Sequence, residues 1–172
     1  MKLYRSKIPL IAQECIQRLV SDGDIEVDPE RRAEAEADLV AIMEDFLRRD
    51  TDLRDVIRDR MSRGAIPYDQ YGKIRNELAE QRAHPTNDDI ERYLARQFAE
   101  VLMISPSVEE VFSDDTTLYK KLLAVVRGHD VDEASIRDEA RAKVKNVREG
   151  TVEYEIAFEA AVRDVKKRKG LI

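Results

Sequence analysis

Apolar residues recur along this chain at spacings of three and four, the period of helices buried on one face. Ile8, Ile11, Ala12, Cys15, Ile16, Leu19 and Val20 predict a first helix. Ser6 is its candidate N-cap, Pro9 falls in the first turn, where its missing N–H breaks no intrahelical bond, and Gly23 closes it. Asp28-Pro29 then opens a second helix with the stripe Leu39, Ile42, Met43, Phe46 and Leu47. Asp50 or Thr51 reads as the start of a third, carrying Leu53, Val56, Ile57 and Met61 to Gly64. Pro67 introduces a fourth through Tyr68, Tyr71, Ile74 and Leu78, ending before His84-Pro85. Thr86-Asn87-Asp88-Asp89 has capping-box spacing ahead of a fifth helix with Ile90, Tyr93, Leu94, Phe98, Val101 and Leu102. Ser107 to Glu110 has the same spacing and could form a short self-capped turn. Leu118, Leu122, Val125 and Val126 mark a sixth helix stopping at Gly128. Asp132 starts a seventh with Ile136, Ala140 and Val144, and Thr151 caps an eighth that runs towards Gly170.

The two halves resemble each other at a constant offset of 83 residues. Ala12 meets Ala95, Leu19 meets Leu102, and Leu39 and Ala41 meet Leu122 and Ala124. Leu53-Arg54-Asp55 and Arg58 meet Ile136-Arg137-Asp138 and Arg141. After a slip of three residues, Gly64 meets Gly150 and Tyr68 meets Tyr154. The expected fold is therefore all-α: two tandem, internally duplicated four-helix units, residues 1–85 and 86–172, packed as one compact helical protein.

Composition narrows the class further. Of 172 residues, 38% are charged and only 11 are glycine or proline, which favours solvent-faced helices over sheets. The net charge of -6 argues against a general nucleic-acid coat. By segment the charge runs -4 over 1–50, +1 over 51–85, -6 over 86–135 and +3 over 136–172. Each half is thus acidic first and neutral-to-basic second, as solvated faces or as poles for oriented assembly. The single Cys15 cannot form an internal disulfide and lies on an apolar face. No secretory signal or membrane-length apolar run is present, so a cytoplasmic setting is expected.

Four stretches carry a family likeness: residues 1–27 (MKLYRSKIPLIAQECIQRLVSDGDIEV), 63–82 (RGAIPYDQYGKIRNELAEQR), 105–115 (SPSVEEVFSDD) and 136–151 (IRDEARAKVKNVREGT). The ending Lys167-Arg168-Lys169-Gly170-Leu171 is a further part of it. In these the chain resembles the bacterial domain-of-unknown-function family 507. That resemblance implies a small cytoplasmic bacterial protein and brings no activity, cofactor or site residue with it.

The residues offer little to catalysis. Glu80 and His84 have metal-binding i,i+4 spacing, but no further ligand cluster accompanies them. Glu109-Glu110 and Asp114-Asp115 are neighbours that do not face one another and sit where capping acids belong. The glycines are scattered singly, so no phosphate loop exists, and Ser105-Pro106-Ser107 lacks an adjacent base. No enzyme, cofactor or metal site is expected. The function expected is a non-enzymatic helical adaptor or regulator that binds protein, a second copy of itself included. Its candidate contacts are Glu26 and Glu109, in linkers at matching points of the halves, with Arg54 and Arg137. Ile25-Glu26-Val27 and Val108-Glu109 could form short extended contacts there. The alternative is a nucleic-acid-associated protein using the helical hairpin 52–82, with Lys73 and Arg75, and the basic tail Lys166, Lys167, Arg168 and Lys169. In the last turn of a helix those tail cations also have a capping role.

Overall fold

A computed structural model describes residues 1–87 and 89–172 of the protein. The capping box expected over Thr86–Asp89 includes Asp88, which lies outside the described residues. The three-four apolar pattern becomes the buried stripes of α1 (Ile8–Ser21), α2 (Arg32–Arg63), α3 (Tyr71–Gln81), α4 (Asp89–Ile104), α5 (Asp115–Gly128), α6 (Glu133–Lys143) and α7 (Val152–Arg168). Short 3-10 turns at Arg5–Lys7 and Tyr68–Gln70 lead into α1 and α3. Asp114, Asp132 and Thr151 cap α5, α6 and α7 by accepting the backbone N–H of Thr117, Ser135 and Tyr154. Ser6 does not cap α1, since its hydroxyl donates to the Leu171 carbonyl at 3.2 Å.

Four helices end alike. Beyond α1, α2, α3 and α7 the chain turns through a positive φ at Gly23, Ala65, Ala83 and Gly170. The next N–H then reaches five residues back, Asp24 to Leu19 and His84 to Ala79 for example, closing the last orphan carbonyls. At the end of α2 it is Ala65, φ 47°, and not the adjacent Gly64, φ -87°, that takes the left-handed conformation.

The second and third helices expected from sequence are one. α2 runs unbroken through Asp50 and Thr51 for 32 residues. Its buried residues Ala35, Leu39, Met43, Phe46, Leu53 and Ile57 keep one register, and Asp50 occupies the position in that register between Phe46 and Leu53. The polar doublet that reads as a cap faces other work: Thr51 bonds back to the Leu47 carbonyl at 2.9 Å, and Asp50 pairs with cations from α2 and α3. The first half of the chain therefore holds three helices and not four. The self-capped turn expected at Ser107–Glu110 is also absent. Those residues lead into a strand, β2 (Glu110–Val111), that pairs antiparallel with β1 (Ile25–Glu26) in the register Ile25 to Val111 and Glu26 to Glu110.

The chain divides into two units. One comprises Met1 and residues 8–129, the other residues 2–7 and 130–172. In the first, α1 packs on α2 and α5, α4 packs on the same two helices, and α3 lies against α2. That last contact buries Leu53, Ile57, Ile74, Leu78 and Ala79. In the second, α6 and α7 form a hairpin whose core is Ile136, Ala140, Val144, Ala161 and Val165, joined by Tyr4 and Leu171 from the two chain ends. Glu133, the first residue of α6, accepts the Tyr4 hydroxyl and the Lys166 ammonium there. The units divide between α5 and α6, at His129 and Asp130.

Candidate protein-binding surface

The β1–β2 ribbon brings together two of the residues singled out by sequence. Glu109 donates its N–H to the Glu26 carbonyl at 2.8 Å, and both side chains are exposed. Ile25 is buried beneath them and Val108 half-buried. The ribbon is anchored from below by Asp24, which is buried and accepts the Ser113 hydroxyl and the Lys121 ammonium, each at 2.6 Å. Lys121 also holds Asp22 at 2.9 Å, and these two carboxylates keep its ammonium above the usual lysine range.

On either side of β2 in the sequence the chain exposes three large apolar residues. Met103 and Ile104 end α4 with about half and 81% of their surfaces open, and Phe112 follows β2 at 58%. Met103 borders a groove of about 300 Å³ between α4 and α5, shared with Arg96, Ala99, Glu100, Asp115, Thr116 and Tyr119. The three apolar residues did not figure among the sequence candidates. For two of them the signal was present: Val101 to Ile104 is a run of four apolar residues, and a helix with one buried face cannot cover all four. Leu102 is fully buried, so Met103 and Ile104 turn outward.

Of the arginines singled out with the two glutamates, one lies in each unit. Arg54 is bound to Asp50 on α2, and Arg137 is exposed on α6. Asp50 is the centre of a second cluster. Its carboxylate takes Arg54 at 2.5 Å and Arg75 of α3 at 3.2 Å, with His84 Nε2 at 3.4 Å. Burial works to raise its pKa, but the Arg54 hydrogen bond and the charges of Arg54 and Arg75 hold it below the ordinary carboxylate value. His84 is stacked on Phe46 at 4.9 Å and buried, and neither ring nitrogen makes a well-aligned hydrogen bond among the described residues. Burial pushes its pKa below 6.5 against the opposing pull of Asp50, so the ring is neutral at pH 7. The cluster joins helices and offers no nucleophile. Its histidine sits past the end of α3, stacked on α2, while Glu80 is exposed on α3.

Burial pushes the Cys15 thiol far up, and its side chain is closed to solvent. No group of three metal-ligating side chains occurs among the described residues, and no helix among them is long and apolar enough to cross a membrane. Of the residues assigned to the nucleic-acid alternative, Arg75 faces Asp50, Lys166 pairs with Glu133, and Arg168 and Lys169 pair with Glu139. Lys73 and Lys167 are exposed. The outward face of α3 presents Lys73, Asn76, Glu77 and Glu80, which is net acidic. Among curated proteins no match to the chain is found. The family described as Protein of unknown function (DUF507) matches residues 1–171, and with nearly every residue included the chain belongs to that family.

Proposed function

We propose that this protein acts by binding another protein and not by catalysis. The observation that carries this reading is the exposure of three large apolar side chains, Met103, Ile104 and Phe112, in a chain whose ionisable side chains are largely engaged in caps and intramolecular pairs. Exposed clusters of large apolar residues oppose solubility unless a partner covers them. The nucleic-acid alternative is weakened because four of its six candidate cations are already paired within the chain.

The reading is supported by a tandem duplication, which we also infer. The order helix, strand, helix, helix recurs, with α5 and α6 standing for a single α2. Exchanging the halves turns α1 on α2 into α4 on α5, and α1 on α5 into α4 on α2, and all four contacts exist. Polar contacts repeat at the same offset of 83. Asp22 and Asp24 after α1 hold Lys121 of α5, while Ser105 and Ser107 after α4 reach Asp38 and Glu34 of α2. Asp38 is the counterpart of Lys121, with the charge reversed and the contact kept. Such a frame supplies matched surfaces that are free to diverge.

The test is an affinity capture from the native lysate, with and without nuclease, using the wild type and the variant Ile104→Ser/Phe112→Ser. Protein capture that resists nuclease and is lost in the variant is expected, with self-association read from the mass at rising concentration. Capture that vanishes with nuclease would overturn the reading.

A further inference from the structure

The α4–α5 groove has a counterpart that serves as an internal control. A second groove, of about 310 Å³, is lined by Gln13, Gln17 and Arg32 of α1 and α2, among others. At the 83-residue offset these are the counterparts of Arg96, Glu100 and Asp115, all of which line the α4–α5 groove. The backbone thus builds the same concavity twice, and side chains fill the two differently. Where the second half exposes Met103, Ile104 and Phe112, the first has Val20, Ser21 and Pro29. Tyr119 in the groove answers to Glu36. The fold therefore does not require large apolar groups at these places, since one copy does without them.

The charge on and around the groove is predominantly acidic: Glu100 and Asp115 line it against the one arginine, Arg96. From Met103 to Tyr119 the chain carries Glu109, Glu110, Asp114 and Asp115 and no basic residue. All four are exposed, and β1 adds Glu26 opposite Glu110. Asp114 stays ionised well into acid because the Thr117 backbone N–H binds its carboxylate. A groove with apolar Ala99, Met103 and Tyr119 and an excess of carboxylates over cations is complementary to a segment with apolar residues on one face and Lys or Arg on its flanks. A trough between two helices takes a third helix, whose residues at i, i+3 and i+4 enter it.

We propose that the α4–α5 groove, together with the exposed Ile104 and Phe112 that adjoin its lining residues in sequence, docks a basic amphipathic helix of a partner protein. This rests on the protein-binding reading above and names the occupant. Glu26 and Glu109 then act as rim charges that speed encounter, while Met103, Ile104 and Phe112 supply the contact that sets residence time.

The probes are two synthetic amphipathic helices of about five turns. They share one leucine face, one with lysine and the other with glutamate on the polar flanks, and both are titrated against the full chain by fluorescence anisotropy. The lysine peptide is expected to bind, and to bind more weakly as salt rises. Ile104→Ser/Phe112→Ser is expected to weaken it at least tenfold. Leu10→Ser in the counterpart groove and Val152→Ser/Ile156→Ser on α7 should leave affinity within about twofold of wild type, the size of a non-contact change. All these residues are exposed, so the variants keep the fold, which circular dichroism verifies. Equal binding of the glutamate peptide overturns the basic occupant. Release by the Leu10 or α7 variants instead overturns the groove. If either happens while Ile104→Ser/Phe112→Ser still abolishes capture from the lysate, protein binding stands and only the assigned occupant falls. If that capture also survives the substitution, both readings fall.

Discussion

Replacing Asp50 tests whether a carboxylate set into an apolar stripe holds three segments together. The side chain is 13% exposed, and it is the shared partner of Arg54, Arg75 and His84. The Arg54 contact joins residues four apart on one helix, with the arginine half exposed, and contributes about 0.5 kcal/mol. The Arg75 contact, 3.2 Å long between α2 and α3 with the guanidinium 30% exposed, contributes about 1 kcal/mol. Removing the carboxylate also leaves two cations facing the buried imidazole with no counter-charge, a further penalty of about 1 kcal/mol. Asp50→Asn keeps the shape and loses the charge, so it should destabilise the protein by about 2 kcal/mol at pH 7. Urea unfolding measures the total, and amide exchange locates it. Protection should fall first in α3 and at His84, with α1 and α4 little changed. The sign with pH is fixed by the direction of the shift. A folded pKa below the unfolded one gives stabilisation that is complete above about 3.9 and is lost as pH falls through the folded value. A loss under about 0.5 kcal/mol, or exchange that rises equally in α1 and α3, would refute the reasoning.

Three more expectations follow from the same structure. Ala83 holds a φ of 49°, where alanine is strained and glycine is not. Ala83→Gly should therefore raise stability by about 0.5 kcal/mol in urea, the relief of strain exceeding the added freedom of the unfolded chain. His84 is held neutral, its pKa below 6.5, so the unfolded state binds its proton first and stability falls as pH drops from 7 through 6.5 towards the folded value. In His84→Phe, which keeps the stack on Phe46, that part of the pH slope should disappear, and an NMR titration of the wild type should place the ring below 6.5. Cys15 should resist thiol reagents in the native protein and react only at the rate of unfolding.

Most helix positions were legible because burial on one face leaves a three-four pattern whatever the partner helix is. Helix starts were legible where a side chain truly caps, as at Asp114, Asp132 and Thr151. Asp50-Thr51 misled because a cap and a buried ion-pair acceptor call for the same residue types. What separates them is whether a cation elsewhere in the chain reaches the position, and Arg75 lies 25 residues further on. The extended contact between the linkers of Glu26 and Glu109 was legible from the apolar Ile25 and Val108 in otherwise polar stretches. The open groove was not, since it depends on how α4 and α5 meet and not on either helix alone. Pairing of Lys166, Arg168 and Lys169 was likewise hidden, because Glu133 and Glu139 come from a helix about thirty residues earlier.

Under the tandem duplication proposed above, matched positions separate what the fold needs from what it tolerates. Lys121 and Asp38 stand at one place in the two halves with opposite charges, and each still finds a polar partner in the loop after a first helix. There the requirement is a buried polar tie between loop and helix, and either polarity meets it. Asp50 and Glu133 stand at another such place, and both are carboxylates bound to a base on the neighbouring helix, Arg75 and Lys166. There the requirement includes the sign. At Ile104 and Ser21, or Phe112 and Pro29, one copy is apolar and exposed while the other is polar or compact, and no packing contact explains the difference. Positions of the first two kinds should lose stability when changed and leave binding intact. Positions of the third kind should do the reverse: Phe112→Ser should unfold within about 0.5 kcal/mol of the wild type, as exposed substitutions do, while its capture of partner falls.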